Sequence, residues 1–131
     1  MNKAITLLGE NRDSTIIDGG NSGDVIKITT DWVNISGFTI QNAGPTGGTN
    51  SGIKMSPGIH YTHIRCNNIK HCPSYGICVG TGSHSFISHN TISDTGIGLA
   101  VTQLGSNNNI SANDIYDNDI GVYIWGSNYN I

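Results

Sequence analysis

The sequence is short of the residues that build helices: 131 residues contain only 4 Leu, 4 Ala and a single Glu, Glu10. These are among the strongest helix formers, so a helical fold has little to grow from. Charge is scarce as well. Six basic residues against nine acidic ones give a formal charge of −3, which leaves no basic footprint for a nucleic acid or an anionic membrane surface. No apolar run approaches the roughly 20 residues that span a bilayer. Residues 1–15 lack the ordered basic, apolar and small-residue regions of a secretion signal. Cys66, Cys72 and Cys78 cannot all pair within one chain and are too few for a disulfide scaffold, so the redox compartment stays open. No nucleophile elbow, phosphate loop or HExxH motif is present.

What is abundant is isoleucine, with 20 copies, followed by 18 Gly and 16 Asn. The β-branched residue favours strands, and Gly and Asn tolerate the left-handed backbone of tight turns. They recur with a period. A block of Gly or a substitute, then apolar, any, apolar, appears as Val25-Ile26-Lys27-Ile28, Gly52-Ile53-Lys54-Met55, Gly76-Ile77-Cys78-Val79, Gly98-Leu99-Ala100-Val101 and Gly121-Val122-Tyr123-Ile124. Starts near 5, 25, 52, 76, 98 and 121 divide the chain into about five rungs of 22–27 residues. A second apolar position follows each block at Ile35, Ile64, Ile87, Ile110 and Ile131, and a third at Ile40, Ile69, Ile92 and Ile115. Between them Asn67, Asn90 and Asn113 are equivalent, and Gly82-Ser83, Gly105-Ser106 and Gly126-Ser127 read as turn chemistry.

Three short apolar clusters per period suit an all-β coil whose turns each supply three strands, stacked in parallel at about 4.8 Å per rung. Alternation in Gly52-Ile53-Lys54-Met55 sends Ile53 and Met55 inward and Lys54 outward, so equivalent positions form columns. Asn67, Asn90 and Asn113 then form a structural ladder, each amide bonding its copy one rung away and the backbone of the bend. Loss of Asn90, the middle member, is expected to cost about 1 to 3 kcal/mol, and loss of Asn113 less. A leucine-rich repeat has a similar period but needs Leu, and a β-sandwich does not produce columns of identical residues.

The pattern Gly-Ile-x-apolar, Gly-Ser-x-x-x-Ile, x-x-Asn-x-Ile resembles the right-handed single-stranded parallel β-helix repeat of NosD-type proteins, prokaryotic surface proteins and pectate-lyase-like enzymes. The likeness covers nearly the whole chain, with Ile5–Gly20 similar to a first rung and Trp32–Ile40 to a second. It implies one domain over residues 1–131, read as a piece of a longer solenoid with uncapped rungs open to end-to-end association. It also implies a secreted, periplasmic or cell-surface location. The function expected first is a non-catalytic module, structural or binding a carbohydrate or a surface protein. The alternatives are a fragment of a polysaccharide lyase or glycoside hydrolase, and a NosD-like copper-handling periplasmic protein.

Each alternative has its residues. A lyase or glycosidase needs carboxylates with a basic partner or Ca²⁺. His71, Asp94 and Asp117, in one column with Asn42 and close to Asp114 and Asp119, are the catalytic candidates, against a plain turn role for the same residues. Thiolate and imidazole suit copper or zinc, and Cys66 and His89 share a column with His63, His71, Cys72 and Cys78 near in sequence. Buried cysteine nevertheless behaves mainly as a small apolar residue. Lys27, Lys54, Cys78, Ala100 and Tyr123 form an outward column without acids. Arg65 beside His63 is a lone charge, and Tyr61, Tyr75, Tyr123 and Trp125 are possible sugar platforms.

Overall fold

The computed structural model describes residues 3–45, 47–102, 105–126 and 130, so Ser127 and Ile131 of the repeat lie outside the described residues. No helix occurs among them, and every strand pairing is parallel. The strands are β1 (Thr6–Leu8), β2 (Ile16–Asp18), β3 (Ile26–Ile28), β4 (Asn34–Ser36), β5 (Thr39–Gln41), β6 (Ser51–Met55) and β7 (His63–Arg65). They continue as β8 (Asn68–Val79), β9 (Phe86–Ser88), β10 (Thr91–Thr102), β11 (Asn109–Ser111), β12 (Asp114–Tyr116) and β13 (Ile120–Trp125). The fold is a right-handed parallel β-helix.

One wall is the five-stranded sheet β1-β4-β7-β9-β11. The remaining strands form a second sheet that folds around a corner, because β8 and β10 each run through a bend and supply strands to two walls. Registers place Leu7, Ile35, Ile64, Ile87 and Ile110 in one column, and Ile17, Ile40, Ile69, Ile92 and Ile115 in another. A third column holds Ile26, Ile53, Ile77, Leu99 and Val122. From Ile35 to Ile92 the isoleucines of the first two columns are fully buried. Stacking identical branched side chains at one rung spacing fills the coil without gaps, which accounts for the excess of isoleucine. β13 pairs on one side only, and its Val122 and Ile124 are about half exposed.

The rung turns three corners, and at each a partly or fully exposed residue with left-handed backbone is followed by a less exposed one. The left-handed columns are Trp32, Tyr61, His84 and Asn107; Gly37, Cys66, His89 and Ala112; and Asn42, His71, Asp94 and Asp117, all with φ between 51° and 82°. The residue after each turns inward: in the early rungs Val33, Phe38 and Ala43 join the core, and in later rungs polar side chains take up backbone groups that the strand ladders leave unpaired. Asn67 Oδ1 accepts from the Phe38 N–H at 3.1 Å, Asn90 Oδ1 from the Asn67 N–H at 3.1 Å, and Asn113 Oδ1 from the Asn90 N–H at 3.0 Å. Their amide nitrogens donate to the carbonyls of Ile35, Ile64 and Ile87. Asn here is therefore a cap beside the left-handed residue and is not itself left-handed.

Two corners follow the same rule with mixed residues that no repeat of identical letters reveals. Thr62 and Ser85 lead into Asn108 and Asn130, with the Ser85 N–H donating to Asn108 Oδ1 and the Asn108 N–H to Asn130 Oδ1. Cys72 and Thr95 lead into Asn118, whose Oδ1 accepts from the Thr95 N–H at 2.9 Å.

The repeated glycines answer a different need. A Cβ on Gly76 would lie 2.5 Å from the Gly98 carbonyl oxygen and 2.7 Å from Ile92 Cγ2, because the corner brings adjacent walls together there. Gly82 and Gly105 are not turn residues of positive φ either; a Cβ on Gly82 would meet the Ile59 carbonyl oxygen at 2.4 Å. Gly126 is left-handed, with φ 63°.

Candidate functional site

His71, Asp94 and Asp117 occupy the third corner as its left-handed residues. The Asp94 N–H donates to the Asp117 carbonyl at 3.1 Å, and His71 Nε2 stands 3.9 Å from Asp94 Oδ2 with both side chains more than half exposed. A pair so exposed contributes little. The geometry these residues share with Asn42 is that of a bend.

Cys66 and His89 are left-handed residues of the second corner, one rung apart. With Arg12, Thr91 and Asp114 they line an open cleft of about 390 Å³. Among the described residues no group of three or more His, Cys, Asp or Glu is arranged to hold a metal ion. Cys66, His89 and Asp114 line that cleft beside Arg12, an open arrangement unlike a closed copper or zinc centre. Cys72 is buried, and that burial pushes its thiol up to about 11. Burial also raises the half-buried Cys78 thiol, against the opposing effect of the nearby Lys54 ammonium.

At the first corner Tyr61, one of the sugar-platform candidates, stands in a column with Trp32 and His84 that the repeat does not mark. Trp32 and Tyr61 stack with ring centroids 4.3 Å apart and planes 10° from parallel, and Tyr61 and His84 continue the stack at 5.3 Å. The left-handed bend turns each side chain out of the coil, and the rung spacing brings the rings into van der Waals contact. Trp32 keeps 61 % of its surface exposed although Tyr61 lies on one face of the indole. The chemical difference among Trp, Tyr and His hid this column; spacing from Ile35, Ile64 and Ile87 was the available signal.

The column borders the five-stranded sheet, whose outward positions run Thr6, Asn34, His63, Phe86, Asn109 and, one pleat on, Leu8, Ser36, Arg65, Ser88, Ser111. His63 and Phe86 meet edge to face at 4.9 Å, and Phe86 is 49 % exposed. Asn34 Nδ2 donates to Thr6 Oγ1, and the Ser111 hydroxyl to Asn109 Oδ1. The result is an open face of aromatic rings among amides and hydroxyls, with Arg65 its one permanently charged side chain.

Lys27, Lys54, Cys78, Ala100 and Tyr123 are in register on another wall. A cleft of about 260 Å³ opens there, lined by Thr49, Lys54, Tyr75, Cys78, Thr102 and Trp125 among others.

The right-handed β-helix region family matches residues 24–131, and the chain belongs to that family. No curated protein and no solved structure matches it. Membership accounts for the solenoid and leaves activity to the surfaces mounted on it. No helix among the described residues is long and apolar enough to cross a membrane.

Proposed function

We propose that the chain is a non-catalytic β-helix module that binds carbohydrate along the outer face of the five-stranded sheet. The observation that carries this reading is the exposed aromatic band of Trp32, Tyr61, His84, His63 and Phe86 beside outward Asn, Ser and Thr side chains. A sugar ring has an apolar face of C–H groups and a rim of hydroxyls, so it packs on aromatic surface while amides and hydroxyls take its rim. Parallel strands repeat the same outward positions every rung, which suits a polymer of repeating units better than a small molecule.

The face carries no carboxylate among its outward strand positions, whereas glycoside cleavage uses a pair of them flanking the bond. The reading therefore stops at binding. The test is a glycan array followed by calorimetric titration of any glycan retained. Tyr61→Ser combined with Phe86→Ser should weaken binding at least tenfold while circular dichroism stays unchanged. An array with no glycan retained, or equal affinity in the double variant, overturns the proposal.

A further inference from the structure

The repeat is broken in one region, between the second and third rungs, where equivalent positions such as Asn34 and His63 or Ile40 and Ile69 lie 29 residues apart, against 23 from Ile64 to Ile87 and from Ile69 to Ile92. Insertions in a solenoid emerge as loops on one face, often the binding face. Part of the extra chain lies between β5 and β6, and it is tied down: the Ser74 hydroxyl donates to the Gly48 carbonyl, the Tyr75 N–H to the Asn50 carbonyl, and Lys54 Nζ to both the Thr49 carbonyl and Thr49 Oγ1. Thr49 thereby joins the lining of the 260 Å³ cleft, together with the ring-bearing residues Tyr75 and Trp125 of later rungs.

The polar end of this cleft has donors to spare. Lys54 spends two of its three N–H groups on Thr49, at 3.1 Å and 2.7 Å. Thr49 Oγ1 accepts one of those bonds and keeps its own O–H for donation. An ammonium and a hydroxyl 2.7 Å apart, each with a proton to give, match the two oxygens of one carboxylate. The rest of the lining includes Met55, Pro57, Tyr75 and Trp125, apolar and aromatic residues, and a volume of about 260 Å³ has room for a single ring. The cleft lies on a different wall from the five-stranded sheet.

We infer that the cleft behind the 43–50 insertion is a second binding site, for a small aromatic carboxylate whose acid group sits on Lys54 and Thr49 and whose ring lies against Tyr75 and Trp125. It is independent of the proposed carbohydrate face.

The test titrates the whole chain with benzoate and with the uncharged benzamide, read by saturation-transfer NMR and by chemical shifts of the ring protons. Benzoate should bind at least tenfold more tightly than benzamide. Lys54→Met should remove that preference, and Thr49→Val, which leaves the ammonium in place, should weaken benzoate several-fold. Tyr61→Ser with Phe86→Ser should leave benzoate binding unchanged, so that failure of the carbohydrate reading and failure of this one are separate results. Equal affinity for the two ligands, no binding of either, or unchanged benzoate affinity in Lys54→Met overturns the inference.

Discussion

Replacing Asn90 by Ala removes four hydrogen bonds in one step. Asn90 Oδ1 accepts from the Asn67 N–H and from Asn67 Nδ2, at 3.1 Å and 3.2 Å, and Asn90 Nδ2 donates to the Ile64 carbonyl and to Asn113 Oδ1, at 2.9 Å and 3.0 Å. Two partners are spared, since Asn67 Nδ2 still reaches the Ile35 carbonyl and Asn113 Oδ1 still accepts from residue 90's own N–H. The Asn67 N–H is not spared. It lies in a fully buried residue, and a stranded buried donor costs about 1 to 3 kcal/mol. With about 1 kcal/mol more for the remaining lost bonds, the substitution should cost roughly 2 to 4 kcal/mol, a large share of the 5 to 15 kcal/mol that holds a typical domain. The same logic makes Asn113→Ala cheaper. Asn113 is partly exposed, so water can replace its Oδ1 at the Asn90 N–H, and about 1 kcal/mol is expected. Urea denaturation of the parent and both variants, followed by far-ultraviolet circular dichroism, measures the difference. A change of less than about 0.5 kcal/mol for Asn90→Ala, or a larger cost for Asn113→Ala, would refute the capping argument.

Four further outcomes follow from the interior and the thiols. Thr62 Oγ1 is buried without a hydrogen-bond partner, so Thr62→Val should leave stability unchanged or raise it by up to about 2 kcal/mol, and a loss in urea denaturation would contradict this. Gly76→Ala drives a Cβ onto the Gly98 carbonyl oxygen at 2.5 Å, so it should cost at least about 2 kcal/mol; a neutral substitution would mean that the corner is looser than described. For the thiols, exposed Cys66 should be alkylated within minutes at pH 8 while buried Cys72 reacts only on unfolding. Because the folded state lifts the Cys72 thiol from 9.0 to about 11, its contribution to stability is complete below pH 9 and is lost as pH rises from 9 to 11. Replacing Cys72 with Ala should flatten that decline, and an unchanged alkaline profile would assign it to other groups.

The sequence by itself determined the coil. Identical isoleucines recurring at 23 to 29 residues can all be buried only if the chain closes on itself at that interval, so the periods of Ile35, Ile64 and Ile87 and of Ile40, Ile69 and Ile92 specify both register and inward face. The Asn67, Asn90 and Asn113 column was legible for the same reason: one residue type, one job, one interval. Tertiary structure alone decided what happens where equivalent positions hold different residues. Trp32, Tyr61 and His84 share no letter, yet a left-handed bend points each outward and the rung spacing stacks them. Ser85, Asn108 and Asn130 cap one corner with different chemistry. Asp94 and Asp117 share a column in the sequence, and the fold sets both on the left-handed backbone of a corner, where the Asp94 N–H donates to the Asp117 carbonyl. The longer spacing between β5 and β6 carries no sign of its use, and the contacts of Gly48, Thr49 and Asn50 with Ser74, Lys54 and Tyr75 make them part of a cleft. Burial favours one apolar residue type repeated, so cores announce themselves in sequence; surfaces are assembled from unlike residues, and their neighbours are known only once the coil is closed.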